Sequence, residues 1–137
     1  MQGTLQPCRT NKDEPIPQYS LSKIAPPDYL SDLAKELWIF AIEQAPEELL
    51  TSLDFSVFAI WADTQAKIIK CENIIKDEGL VTYDDKGTPR AHPMFRMQNE
   101  LKQLLRGYLT ELGFTPASRS KVSIKKKEDK TNDFIDI

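Results

Sequence analysis

Residues 51–76 read TSLDFSVFAIWADTQAKIIKCENIIK, and the reading of this stretch decides the fold. Thr51 and Asp54 stand at capping-box spacing, with Asp in the place usually taken by Glu or Gln, so a helix is predicted to open here. Phe55, Val57, Phe58, Ile60, Trp61 and Ala62 make its first half apolar nearly all round, whereas Ile68, Ile69, Cys71, Ile74 and Ile75 keep a narrower stripe. About twenty-five helical residues at about 1.5 Å rise span roughly 38 Å, more than so small a domain needs for its own packing. The first half is therefore expected deep in the core or between subunits, and the surplus length invites a partner.

Working outward to the N-terminal side, Pro46 separates this helix from an earlier one. Pro26 and Pro27 stop any preceding structure, and Ser31 followed by Asp32 gives an N-cap with an acid in the first turn. A helix is predicted over 31–44, because Leu30, Leu33, Ala34, Leu37, Trp38 and Ala41 recur at three- and four-residue steps. Asp32, Lys35, Glu36 and Glu43 fall mostly on the opposite side. Residues 1–25 carry Pro7, Pro15 and Pro17 among polar residues with no pattern to bury, and read as a flexible segment.

On the C-terminal side Gly79 is a helix stop, Leu80 to Tyr83 a short strand, and Asp84 to Gly87 the turn of a hairpin returning through Thr88. Pro93 suits the first turn of a third helix carrying Met94, Met97, Leu101, Leu104, Leu105, Tyr108 and Leu112, with Gly113 closing it. This is the cleanest amphipathic stripe in the chain. Thr115, Pro116 and Ala117 start one more helical turn. The fold class expected is mainly α: three principal helices with one small β-hairpin over 26–122, between the flexible 1–25 segment and a charged, disordered tail at 123–137.

With 137 residues and five glycines, the chain fits one domain with a single modest core. No run of eighteen apolar residues and no secretion signal occurs, so no membrane partner is expected and the protein should stay in the cytoplasm where it is made. Cys8 and Cys71 lie far apart, without a CxxC, and read as free thiols.

Little here suggests catalysis. A nucleophile needs a base and an orienting group, and the chain holds one histidine, His92, at the mouth of a predicted helix, where capping or packing is the preferred reading. Gly3, Gly79, Gly87, Gly107 and Gly113 are scattered and form no phosphate-cradling loop, which excludes a standard NTPase. Asp84, Asp85 and Glu78 read as turn residues rather than a cation site, and Trp38 and Trp61 as core rather than base-stacking platforms. The chain is expected not to be an enzyme and to need no cofactor or metal.

The formal net charge is −3, so any contact with nucleic acid must be local or repeated over many copies. One segment is clearly basic: Arg119, Lys121, Lys125, Lys126, Lys127 and Lys130 fall within twelve residues, broken by Glu128 and Asp129. These six are the candidate nucleic-acid-binding residues, with a merely solubilising tail as the competing reading. Six phosphate contacts would give a log-log salt slope of roughly −5.

Three stretches taken together resemble one family. They are PPDYLSDLAKELW (Pro26 to Trp38), EGLVTYDDKGTPRAHPMFRMQNELKQL (Glu78 to Leu104) and LTELGFTPASRSKV (Leu109 to Val122). In their order and spacing they are similar to small terminase subunits of tailed phages and prophages. The resemblance implies a packaging adaptor that recognises double-stranded viral DNA, presents it to the terminase large subunit bearing the ATPase and nuclease, and forms a homo-oligomeric ring in the bacterial host. The chain departs from many such subunits in lacking an obvious N-terminal helix-turn-helix, since the segment before Pro26 is proline-rich. DNA could then meet the tails, a groove between subunits, or a channel lined by Arg90, Arg96, Lys102 and Arg106, for which plain solvent exposure is the alternative. A dimeric helical transcription regulator and a pure protein-interaction module are the competing functions.

Overall fold

The computed structural model describes residues 20–47 and 49–120. Three helices carry the architecture: α1 (Asp32–Gln44), α2 (Phe55–Glu78) and α3 (Pro93–Glu111), with strands β1 (Val81–Tyr83) and β2 (Pro89–Ala91) between the last two. Single 3-10 turns at Leu21–Lys23 and Ser52–Asp54 precede α1 and α2, and residues 116–120 are again helical. This is the mainly helical fold with one small hairpin that the patterning predicts.

Local chemistry sets the boundaries. Ser31 caps α1 by accepting from the Ala34 N–H at 3.3 Å. Before α2, the Asp54 carboxylate accepts from the Thr51 N–H at 2.8 Å and from its hydroxyl at 3.0 Å, so the shorter Asp still reaches back as a capping-box acid should. At the far end Gly79 takes φ 89° while its N–H bonds to the Ile75 carbonyl at 2.7 Å, a backbone conformation that side-chain-bearing residues rarely adopt. Gly113, at φ 74°, closes α3 in the same way, and the Phe114 N–H returns to the Leu109 carbonyl at 2.9 Å.

α2 is the centre of the molecule, and α1 and α3 both pack on it. The core gathers where α1, the first half of α2 and the end of α3 meet, around Leu30, Ala34, Trp38, Leu50, Phe58, Ala59, Ala62, Ala66 and Leu112. Trp38 lies edge-on to Phe55 at 5.6 Å and to Phe58 at 4.4 Å, and Phe58 and Trp61 extend this contact to Phe114. Both tryptophans are core residues.

The surplus length of α2 finds its partner inside the chain. Past Ala66 its buried residues are Ile68, Cys71 and Ile75, and α3 runs back along them to form an antiparallel arm tipped by the hairpin. There Val81 pairs with Ala91, Thr82 with Arg90 and Tyr83 with Pro89, so the returning strand begins one residue after Thr88. α3 itself departs from its clean apolar stripe. The residue it buries completely is Gln98, which donates to Glu72 at 2.5 Å, while Met97 and Leu104 stay about half exposed at 49% and 54%. One neighbouring helix is narrower than the stripe and covers only part of it.

The ordered core also reaches upstream of Pro26, into the segment read as flexible. Leu21 is completely buried, its N–H bonds to the Leu50 carbonyl at 3.1 Å, and Ser20 bridges to Thr51. A single leucine has no periodicity, so nothing local marks it as core. Residues 1–19, with Cys8, and residues 121–137 lie outside the described residues.

Candidate nucleic-acid interface

Of the six candidate DNA-contacting residues the described chain contains one, Arg119; Lys121, Lys125, Lys126, Lys127 and Lys130 lie outside it. The root of that segment is held by local bonds. Thr115 and Ser118 cap each other reciprocally: the Thr115 N–H donates to Ser118 Oγ at 3.2 Å and the Ser118 N–H to Thr115 Oγ1 at 3.3 Å. Arg119 then donates from Nη1 to the Phe114 carbonyl at 3.1 Å. Its side chain borders an apolar groove of about 340 Å³ lined by Phe40, Leu49, Trp61, Gly113 and Phe114 among others. The basic segment therefore leaves the folded body beside the α1–α2 core, far along α2 from the hairpin tip.

The second basic set is on the arm, and its members differ. Arg90 binds Asp84 at 3.3 Å and Arg96 binds Glu100 at 3.2 Å, whereas Lys102 and Arg106 enter no ion pair among the described residues. All four are exposed. Lys102 and Arg106 stand one turn apart on α3, Arg96 lies about 120° round the helix from Lys102, and Arg90 belongs to the hairpin.

The remaining polar candidates have structural occupations. His92 is buried and caps α3: Nδ1 accepts from the Met94 N–H at 3.1 Å, and Nε2 bonds Glu78 Oε2 at 2.7 Å. Asp84 organises the hairpin turn by accepting from the N–H groups of Thr88 at 2.9 Å and Lys86 at 3.0 Å. The Thr88 N–H is the main cause of a carboxyl held below its ordinary pKa of 3.8; partial desolvation opposes it, and the Lys86 N–H and Arg90 help. Among the described residues, no group of three His, Cys, Asp or Glu side chains is placed to hold a metal ion.

A family model described as phage terminase, small subunit, matches residues 34–129, from within α1 through α2, the hairpin and α3 and on past the last described residue. The chain belongs to this family. The terminase small-subunit match covers most of α1, the whole arm and the basic segment as far as 129, and leaves out the proline pair at Pro26 and Pro27. No curated protein and no solved structure matches this terminase small subunit. No helix among its described residues is long and apolar enough to cross a membrane.

Sequence reasoning missed one chemically distinctive contact, the amide of Gln98 buried against Glu72 inside the arm. The signal that could have found it is helical spacing, since Gln98 stands four residues after Met94 and three before Leu101, on the apolar stripe of α3.

Proposed function

We propose that this chain is the DNA-recognising adaptor of a phage packaging motor. It binds double-stranded viral DNA in the host cytoplasm, presents it to the large subunit that carries the ATPase and nuclease, and regulates that subunit. It works as a ring of identical copies, without catalytic chemistry or cofactor of its own. The observation that carries this reading is the terminase small-subunit match over residues 34–129. His92 and Asp84, the residues with the most chemistry to offer, are engaged in capping and turn formation, which also supports an adaptor.

In this reading DNA meets Arg119, Lys121, Lys125, Lys126, Lys127 and Lys130. With a net charge of −3 per chain, one copy binds weakly, and a ring that repeats the segment multiplies contacts through high effective concentration. Native mass spectrometry together with DNA binding measured against salt tests the proposal. The expected result is a closed multi-subunit species whose DNA affinity falls steeply with salt. A monomer at all concentrations overturns it, and so does a dimer that protects a short palindrome, which belongs to a transcription regulator.

A further inference from the structure

Residues 125–133 read KKKEDKTND, with no apolar side chain, and residues 134–137 then read FIDI. Phe134, Ile135 and Ile137 thus set three apolar side chains in four positions directly after a wholly polar stretch, a cluster that gains by leaving water. The family match ends at 129 and gives this cluster no role.

The folded body holds a surface that suits it. The groove of about 340 Å³ lies where α1, α2 and residues 113–119 meet, with Phe40, Leu49, Trp61 and Phe114 among its apolar walls. Phe40 is 61% exposed there, far more than a helix residue facing its own core. The polar members of the lining are Gln44, Gln65 and Arg119, so the groove carries a cation and no carboxylate. The apolar cluster is marked the opposite way, by Asp133 and Asp136 with no base between them.

The path of the chain favours the same pairing. Arg119 is part of the groove wall, and Ser120 is the last described residue after it. The thirteen residues 121–133 can span up to about 45 Å when extended, ample to double back to a site where they start. So short a tether holds the cluster at an effective concentration on the order of millimolar, which any other occupant would have to exceed.

We infer that the groove seats Phe134, Ile135 and Ile137 of the same chain, so that residues 121–133 form a loop closed at both ends on the folded body. Lys125, Lys126 and Lys127 then sit on that loop, beside the α1–α2 core. The contact needs no second copy and does not rest on the ring assembly.

Photochemical cross-linking in the full-length chain tests this. With Phe134→benzoylphenylalanine, irradiation should join position 134 to groove peptides containing Phe40, Leu49 or Trp61, in a product that keeps the mass of one chain on denaturing electrophoresis. Phe40→Glu alters an exposed wall position and should cut this cross-link at least fivefold with helical circular dichroism unchanged, whereas Phe40→Leu should keep most of it. A second measurement uses no cross-linker: Phe134→Ser with Ile135→Ser should lower the melting temperature by roughly 3 °C in the otherwise unaltered chain and leave it unchanged in a Phe40→Glu background. A cross-linked product of twice the mass would give the groove to the segment of a neighbouring copy and overturn the inference. Cross-links confined to other surfaces also overturn it, as does an equal drop in melting temperature in both backgrounds. None of these outcomes touches the ring proposal.

Discussion

His92 and Glu78 tie the two helices of the arm together across the hairpin. Glu78 is the last residue of α2 and His92 the N-cap of α3, and they meet at 2.7 Å. Because Nδ1 accepts from the Met94 N–H, the ring proton that points at Glu78 is on Nε2. One side chain thus caps a helix and closes the loop before it.

His92→Ala removes both contacts and is expected to destabilise the fold by about 2 kcal/mol, roughly 1 of it from the lost cap and the rest from the bond to a largely exposed carboxylate. His92→Asn keeps a capping oxygen but is too short to reach Glu78, so its loss should be about half as large. Urea denaturation ranks the two. Equal losses would mean that the Glu78 contact contributes nothing.

Leu21 makes the described residues just before Pro26 part of the folded body. Leu21→Ala is expected to cost about 3 kcal/mol, the usual range for a fully buried leucine, whereas its exposed neighbour Ser22→Ala should change stability by less than about 0.5 kcal/mol. Thermal denaturation of the two variants checks the contrast. Near-equal melting temperatures would put Leu21 outside the core.

Acid should loosen the hairpin turn before the core. The folded-state pKa of Asp84 lies below its ordinary value of 3.8, so its contribution is present above that value and fades as the pH falls through the lower, folded one. The protection of the Lys86 and Thr88 amides, whose N–H groups donate to this carboxylate, measured relative to intrinsic exchange, should fall on acidification below about pH 4. In Asp84→Asn that acid-dependent step should vanish. A step that persists in the variant must come from another group.

The basic segment has a direct test in salt. Replacing Lys125, Lys126 and Lys127 by Gln removes three positive charges, which should flatten the log-log salt slope of DNA binding by about 3 if each meets a phosphate. Circular dichroism of the same variant checks that the fold is kept. An unaltered slope would move DNA recognition elsewhere, with Arg90, Arg96, Lys102 and Arg106 the next residues to replace.

Of the candidate site, little was open to direct reading. The run of basic residues from Arg119 is plain in the sequence, but its geometry would depend on the path of the chain after Ser120. What could be read is where that path begins, because Thr115, Pro116 and Ser118 form a capped turn from neighbouring residues alone. The pairing of Lys102 with Arg106 follows from helical spacing. That both α1 and α3 pack on α2 does not follow from spacing, because it depends on how the helices stack.

By itself the sequence determined where the helices are and which family they build. Ser31, the Thr51 and Asp54 pair, Gly79, the His92 and Pro93 step and Gly113 act on backbone groups within a few residues of themselves, so helix ends are local chemistry. Periodicity likewise told which face of each helix is apolar. Only the tertiary structure decided what covers those faces: that the long α2 is matched by α3, that Leu21 enters the core, that Gln98 is buried while Met97 and Leu104 are half exposed. The hydrophobic effect rewards burial without naming the partner, and the partner is chosen only when the whole chain closes on one packing.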